Sequence, residues 1–198
     1  IMRGMDVAMW MAPGEIDGFG SPDRACRSGQ QWRWGATTFT MLHPSEPLPA
    51  KENDQSCVLM ITSEGTRYLL AGDIGRDVEQ ALVSRLGPAL SAEMLLVPHH
   101  GSATSSSWDF AWFVQADWAV VTAGHVNAFG HPNGRVVRRY QELGAEVVST
   151  AGAGALRFEP GGGVAPYRWF YTRYWHNYPC TMPASARASW WFGRLWWP

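Results

Sequence analysis

Lysine is almost missing from this sequence. Its sixteen basic residues are fifteen arginines and Lys51, set against seventeen acidic residues, for a net charge of -1. Neither sign dominates, so the chain lacks the general attraction to nucleic acid of a strongly basic protein, and any such binding has to be local. Cysteine is scarce too. Cys26, Cys57 and Cys180 are far apart with no CxxC pair, which excludes a zinc ribbon. Cys57 sits in an apolar run and reads as a small buried residue, while a Cys26–Cys180 disulfide is open but has no specific signal behind it. No apolar run reaches the roughly 20 residues that span a bilayer, and no signal-peptide pattern opens the chain. The first residue, Ile1, is the mark expected of an internal piece of something longer. A G-x-S-x-G nucleophile elbow is absent, which sets a serine hydrolase aside despite the closeness of Ser102 to His99. The glycines of "GAGALRFEPGGG" precede no helix and do not make a phosphate loop.

What is present is a folded chain of 198 residues, 46% apolar and 17% charged, long enough for one domain with a real core. Residues 1–30 form an irregular lead-in, rich in Gly, Pro, Asp and Arg. "QQWRWGATTFTMLHP" predicts two strands turning at Gly35 and stopped by Pro44, with His43 as a loop histidine. "SCVLMIT" and "TRYLLAG" predict a hairpin turning at Glu64-Gly65. "RDVEQALVSRLGP" predicts a helix with Val78, Ala81, Leu82 and Leu86 on one face. "EMLLV", a helix over "SSSWDFAWFVQ", "DWAVVTAG", a helix over "GRVVRRYQELG", then "EVVST" and "ALRFEP" continue the alternation. Nearly continuous apolar strands alternating with helices imply an α/β sheet covered by helices. From residue 164 to 198 the chain changes to an aromatic-rich tail carrying six of the twelve tryptophans.

Three loops follow predicted strand ends, where open α/β sheets place their sites. They are "LLAGDIG" with Asp73, "VPHHGS" with His99, His100 and Ser102, and "NAFGHPN" with His131. A carboxylate and imidazoles converging from separate strands are metal-ligand chemistry, able to lower the pKa of a bound water. Each residue also has a plain structural role open to it: Asp73 as a helix cap, the histidine pair as solvated loop residues, His131 as a turn residue, the serines as capping hydroxyls. If the strand continued through the pair, His99 and His100 would point to opposite faces and only one would meet the site. His176 reads as packed among aromatics. Arg135, Arg138 and Arg139 form a basic helix face, solvated by default.

The ordered set AGD, VPHHGS and GHP, with the sequence around it over roughly residues 24–160, resembles the metallo-β-lactamase-like domain of the ComEC/Rec2 DNA-internalisation (competence) proteins. The resemblance implies a metallo-β-lactamase-like αββα sandwich, with residues 31–163 as the C-terminal portion of the domain and its N-terminus incomplete. It implies metal-dependent hydrolysis of DNA phosphodiesters, in which Asp73 and His99 are catalytic metal ligands and His100, Ser102 and His131 line the site. The implied cofactor is a divalent metal, Zn²⁺ or Mn²⁺, two ions in the complete domain. The implied partners are single-stranded or double-stranded DNA, the membrane-embedded channel part of the parent protein and the competence machinery. The implied location is the periplasmic, extracytoplasmic face of the inner membrane, as part of a larger membrane protein.

The superfamily's HxHxDH-type motif is not in this sequence, so weak metal binding and little activity are expected of this chain alone. Two further readings stand beside the nuclease: a non-catalytic DNA-guiding module with a degenerate metal site, and another hydrolase of the same superfamily. Tryptophan and tyrosine interleaved with Arg168 and Arg173 are suited to stacking single-stranded DNA, to a membrane interface, or to packing, and packing is the default.

Overall fold

The computed structural model describes residues 7–16, 20–159 and 163–170. Their chain order begins with a short parallel pair, β1 (Met11–Ala12) and β2 (Arg24–Ala25). A meander follows: β3 (Gln31–Trp34), β4 (Thr37–His43), β5 (Val58–Ser63) and β6 (Thr66–Leu70). The β5–β6 turn sets Glu64 and Gly65 at φ 51° and 82°, the left-handed pair of a tight hairpin. Then come α1 (Arg76–Leu86), β7 (Met94–Leu96), α2 (Trp108–Val114), β8 (Trp118–Val121), α3 (Gly134–Glu142) and β9 (Glu146–Ser149). One-turn α4 (Thr150–Ala153), the hairpin β10 (Leu156–Glu159) and β11 (Gly163–Pro166), and one-turn α5 (Tyr167–Phe170) close the described chain.

Strands β3 to β9 make one seven-stranded sheet in sequence order, antiparallel through β6 and parallel from β6 to β9. Alternation within the apolar strands builds two cores. Leu69, Leu95, Ala119 and Val121 point to one face, where Val78, Leu82, Phe110, Val114, Val136 and Tyr140 of the three longer helices cover them. Met94, Val120 and Val148 point to the other, under Leu156 and Phe158 of β10. Burial on both faces is why these strands read as nearly continuous apolar runs. The result is an α/β sandwich of helical layer, main sheet and second small sheet, in agreement with the expected class.

Several local expectations need correction. Ala81 is exposed, and Glu79 is the residue buried beside Val78 and Leu82 on α1. His43 ends strand β4 as a buried residue instead of lying in a loop, and its Nε2 bonds the Asp54 carbonyl at 2.7 Å. Burial outweighs that bond and holds its pKa below the ordinary imidazole range. Cys26 pairs with Cys57, not with Cys180. The disulfide ties the lead-in to the start of β5, and Ser28 and Gly29 donate backbone hydrogen bonds to Pro44 and Met41. At the other end β11 runs to Pro166, with Val164 buried. Arg168 donates to the Ala151 carbonyl at 2.7 Å. The rest of the tail, with Arg173, His176 and Cys180, lies outside the described residues. Among the described residues no helix is long and apolar enough to cross a membrane.

Candidate functional site

Three parallel strands deliver three loops to one edge of the sheet. Asp73 follows β6, the segment Pro98–Gly101 follows β7, and residues 122–133 follow β8. The first two are locked together by backbone, since His99 N donates to the Gly72 carbonyl at 3.0 Å. The second and third are locked by Asn133 N, which donates to the Gly101 carbonyl at 2.8 Å. Gly101 sits at φ +77°, and a Cβ there would lie 2.8 Å from the Pro132 ring. No other residue fits both the backbone and the space.

His99 and His100 are not in an extended strand. Both adopt left-handed backbone conformations, at φ 49° and 56°. For non-glycine residues this costs roughly 1–2 kcal/mol each, and such strain collects at functional sites. The strand-alternation argument therefore does not apply, and the turn aims each ring separately.

His100 is aimed by its Nδ1, which donates to the Thr122 carbonyl at 2.7 Å. That bond fixes the proton on Nδ1 and leaves Nε2 as a lone pair in the neutral ring. Nε2 faces Asp73 Oδ1 at 3.6 Å, with the two side chains 46% and 41% exposed. An exposed contact of this kind gives folding no more than about 1 kcal/mol, so stability does not account for it. At 3.6 Å the imidazole nitrogen and the carboxylate oxygen stand beyond hydrogen-bond reach of each other. The donor chemistry suits a cation: two ligands with bonds of about 2.1 Å to one tetrahedral ion stand roughly 3.4 Å apart. The second donor in such a pair normally has its other ring nitrogen bonded to a carbonyl, as His100 does.

His99 makes other contacts. Its Nε2 accepts from Asn53 Nδ2 at 3.3 Å, and its Nδ1 lies 3.5 Å from the Thr104 hydroxyl. Its ring meets that of His131 edge-on, with centroids 6.1 Å apart. His131 in turn stacks on Phe129 at 5.8 Å. The sequence brought Asp73, His99, His100 and His131 forward, and the structure gathers them as two linked pairs, Asp73 with His100 and His99 with His131. Ser102 is buried, and its oxygen partners are the Thr104 hydroxyl at 3.0 Å and Thr104 N at 3.3 Å. No histidine is among those partners. Among the described residues no group of three or more His, Cys, Asp or Glu is arranged to hold a metal. The Asp73–His100 pair thus fits as part of a metal centre, and the described residues do not complete one.

Sequence reasoning missed the supporting residues. Asn53, Asp54 and Ser56 underlie the edge: Asn53 reaches His99, Asp54 Oδ1 accepts from Gly75 N at 2.8 Å, and Ser56 Oγ accepts from Asp73 N at 3.1 Å. Their only sequence signal is a polar run before a buried strand, which any loop shows. Glu79 was also missed. It is wholly buried and accepts backbone bonds from Ser106 N and, at 2.7 Å, from Ser107 N. Ser107 then caps α2 by accepting from Phe110 N. Of the expected basic face, Arg135 and Arg138 are exposed. Arg139 is structural, donating to the Ser106 carbonyl and lying over the Trp108 ring at 5.6 Å.

Comparison with known proteins matches this frame to a defined group. The chain is 38% identical over 152 residues, 76% of its length, to the competence protein ComA of Neisseria gonorrhoeae. It is 32% identical over 61% of its length to the ComE operon protein 3 of Bacillus subtilis, and 31% identical over 67% to recombination protein 2 of Haemophilus influenzae. The chain belongs to the ComEC/Rec2 family. Its α/β sandwich is the family's metallo-β-lactamase-like fold. No family model matches the chain. The chain spans 22%, 15% and 16% of the lengths of these three relatives, so the match speaks for one segment of much longer proteins.

Proposed function

We propose that the chain is part of a metal-dependent hydrolase domain, acting on DNA phosphodiesters, within a DNA-uptake protein used in natural transformation. The observation that carries this reading is the Asp73–His100 pair, an imidazole nitrogen and a carboxylate oxygen 3.6 Å apart at a strained strand-end turn. The competence name of the Neisseria gonorrhoeae relative supplies the biological setting. In this reading Asp73 and His100 hold a divalent ion, Zn²⁺ or Mn²⁺. His99, tethered by Asn53, lines the site with His131 and is the alternative ligand to His100. A bound divalent ion supplies Lewis-acid polarisation of a phosphodiester oxygen and a more acidic water. The chain's own residues orient the donors: the Thr122 carbonyl fixes the His100 tautomer, and Ser56 holds the Asp73 backbone.

The Cys26–Cys57 disulfide supports a position on the extracytoplasmic side of the membrane, since such bonds persist in oxidising compartments. A membrane channel and the competence machinery are the partners this setting calls for. A second reading, a DNA-guiding module without catalysis, is favoured by the absence of a three-ligand cluster among the described residues. One experiment separates the two. The parent protein is given labelled single-stranded DNA with Mn²⁺, alongside Asp73→Ala, His99→Ala and His100→Ala variants. Loss of cleavage by two orders of magnitude or more in Asp73→Ala and His100→Ala supports the hydrolase. Cleavage unchanged in all three variants overturns the site, and no cleavage by the parent protein itself favours the guiding module.

A further inference from the structure

Residue Phe129 stands at the lip of the site, 81% exposed, and Val126 of the same loop is 90% exposed. The loop is shaped from within by one side chain. Asn127 Oδ1 accepts from His131 N at 2.8 Å, and Asn127 Nδ2 donates to the His131 carbonyl at 2.8 Å. One face of the Phe129 ring lies on His131, nearly parallel at 17° between planes. His131 meets His99, which belongs to the same turn as His100. A run of rings therefore leads from His99, the neighbour of His100 in the turn, to an aromatic face open to solvent. Among the described residues, the other exposed large rings, Trp34, Trp108, Trp112 and Tyr167, lie on β3, α2 and α5 and are not part of this run of rings.

Exposing a phenyl ring beside a polar site gains nothing for folding, because its area stays in water. Its flat free face, already backed by an imidazole, matches a second flat ring at the offset-stacking separation of roughly 4.5–7 Å. Resting on the hydrolase reading above, we propose that Phe129 stacks an unpaired nucleobase, and so places the adjoining phosphodiester at the Asp73–His100 pair. Base pairs in a duplex keep their faces covered, so this contact selects single-stranded substrate.

The test uses a short oligothymidylate carrying one 2-aminopurine, whose fluorescence is quenched when it stacks, with EDTA present so that no cleavage occurs. The wild-type chain is expected to quench the probe. Phe129→Ala is expected to lose the quenching and to weaken single-strand binding by about tenfold, within the range for one stacked base, while duplex affinity stays unchanged. Phe129→Trp should keep the quenching, and Phe129→Leu, which preserves apolar bulk without a ring, should lose it. Quenching that survives in the alanine and leucine variants overturns the proposal, as does an equal loss for single strand and duplex. The hydrolase reading fails separately: it falls if the parent protein does not cleave single-stranded DNA with Mn²⁺, whatever the Phe129 variants show.

Discussion

Asp73 and Glu79 are carboxylates of the same strand-to-helix passage, and they do opposite work. Asp73 is 41% exposed and faces a half-exposed imidazole at 3.6 Å. Glu79 is fully buried and accepts from two backbone amides at the head of α2. The first contributes little to stability and is available to ligands. The second is unavailable to any ligand and pins the chain that leads away from the histidine turn. Charge in this fold thus divides into a solvent-facing chemical set and a buried structural set, and exposure, not residue type, marks the boundary.

The sharpest way to break the contrast is Glu79→Ala. It strands the Ser106 and Ser107 amides in the interior, at roughly 1–3 kcal/mol for each unsatisfied donor. A loss of about 4 kcal/mol in urea unfolding is expected, and a loss below 1 kcal/mol would remove Glu79 from the structural set.

Reduction of the Cys26–Cys57 bond comes next, opening a loop of sequence separation 31. Chain-entropy arguments give about 3 to 4 kcal/mol for such a loop, measured as the shift in unfolding between oxidised chain and a Cys26→Ser, Cys57→Ser variant.

A pH series sharpens the same point with a smaller effect. Burial raises the Glu79 pKa despite the bonds from Ser107 and Ser106, so the folded chain holds that proton more tightly than the unfolded chain. The stability this gives is full below the ordinary glutamate range and is lost as pH rises through the raised value. Glu79→Gln should flatten that part of the profile, leaving the opposite slope from His43. The His43 pKa is lowered, so its contribution is present above the ordinary imidazole value and lost as pH falls. A Glu79→Gln profile that keeps the original fall with rising pH would assign it to another group.

The smallest effect belongs to Asp73. Asp73→Ala and His100→Ala should each change unfolding free energy by less than about 1 kcal/mol, with a coupling in the double mutant no larger. A coupling of several kcal/mol would move the pair into the structural set.

Much of the site was legible in the sequence because strand ends are. Asp73, His99, His100 and His131 each follow an apolar strand, and parallel sheets carry such residues to one edge. Which histidine meets Asp73 was not legible. It depends on the left-handed backbone at both positions, and that in turn depends on Gly101 fitting under Pro132. The burial of Glu79 over Ala81 was hidden for a related reason. Periodicity fixes the spacing of a helix face but not its phase, and the phase is set here by two serine amides from a distant loop.

By itself, then, the sequence determined the strand and helix order, the two-sided apolar strands and the residue types gathered at the sheet edge. These follow from local periodicity and turn chemistry, which act between near neighbours. Tertiary structure alone decided the Cys26–Cys57 pairing, the orientation of His100 toward Asp73 and the support from Asn53 and Ser56. Those depend on distances between residues remote in sequence, and no local pattern encodes a distance.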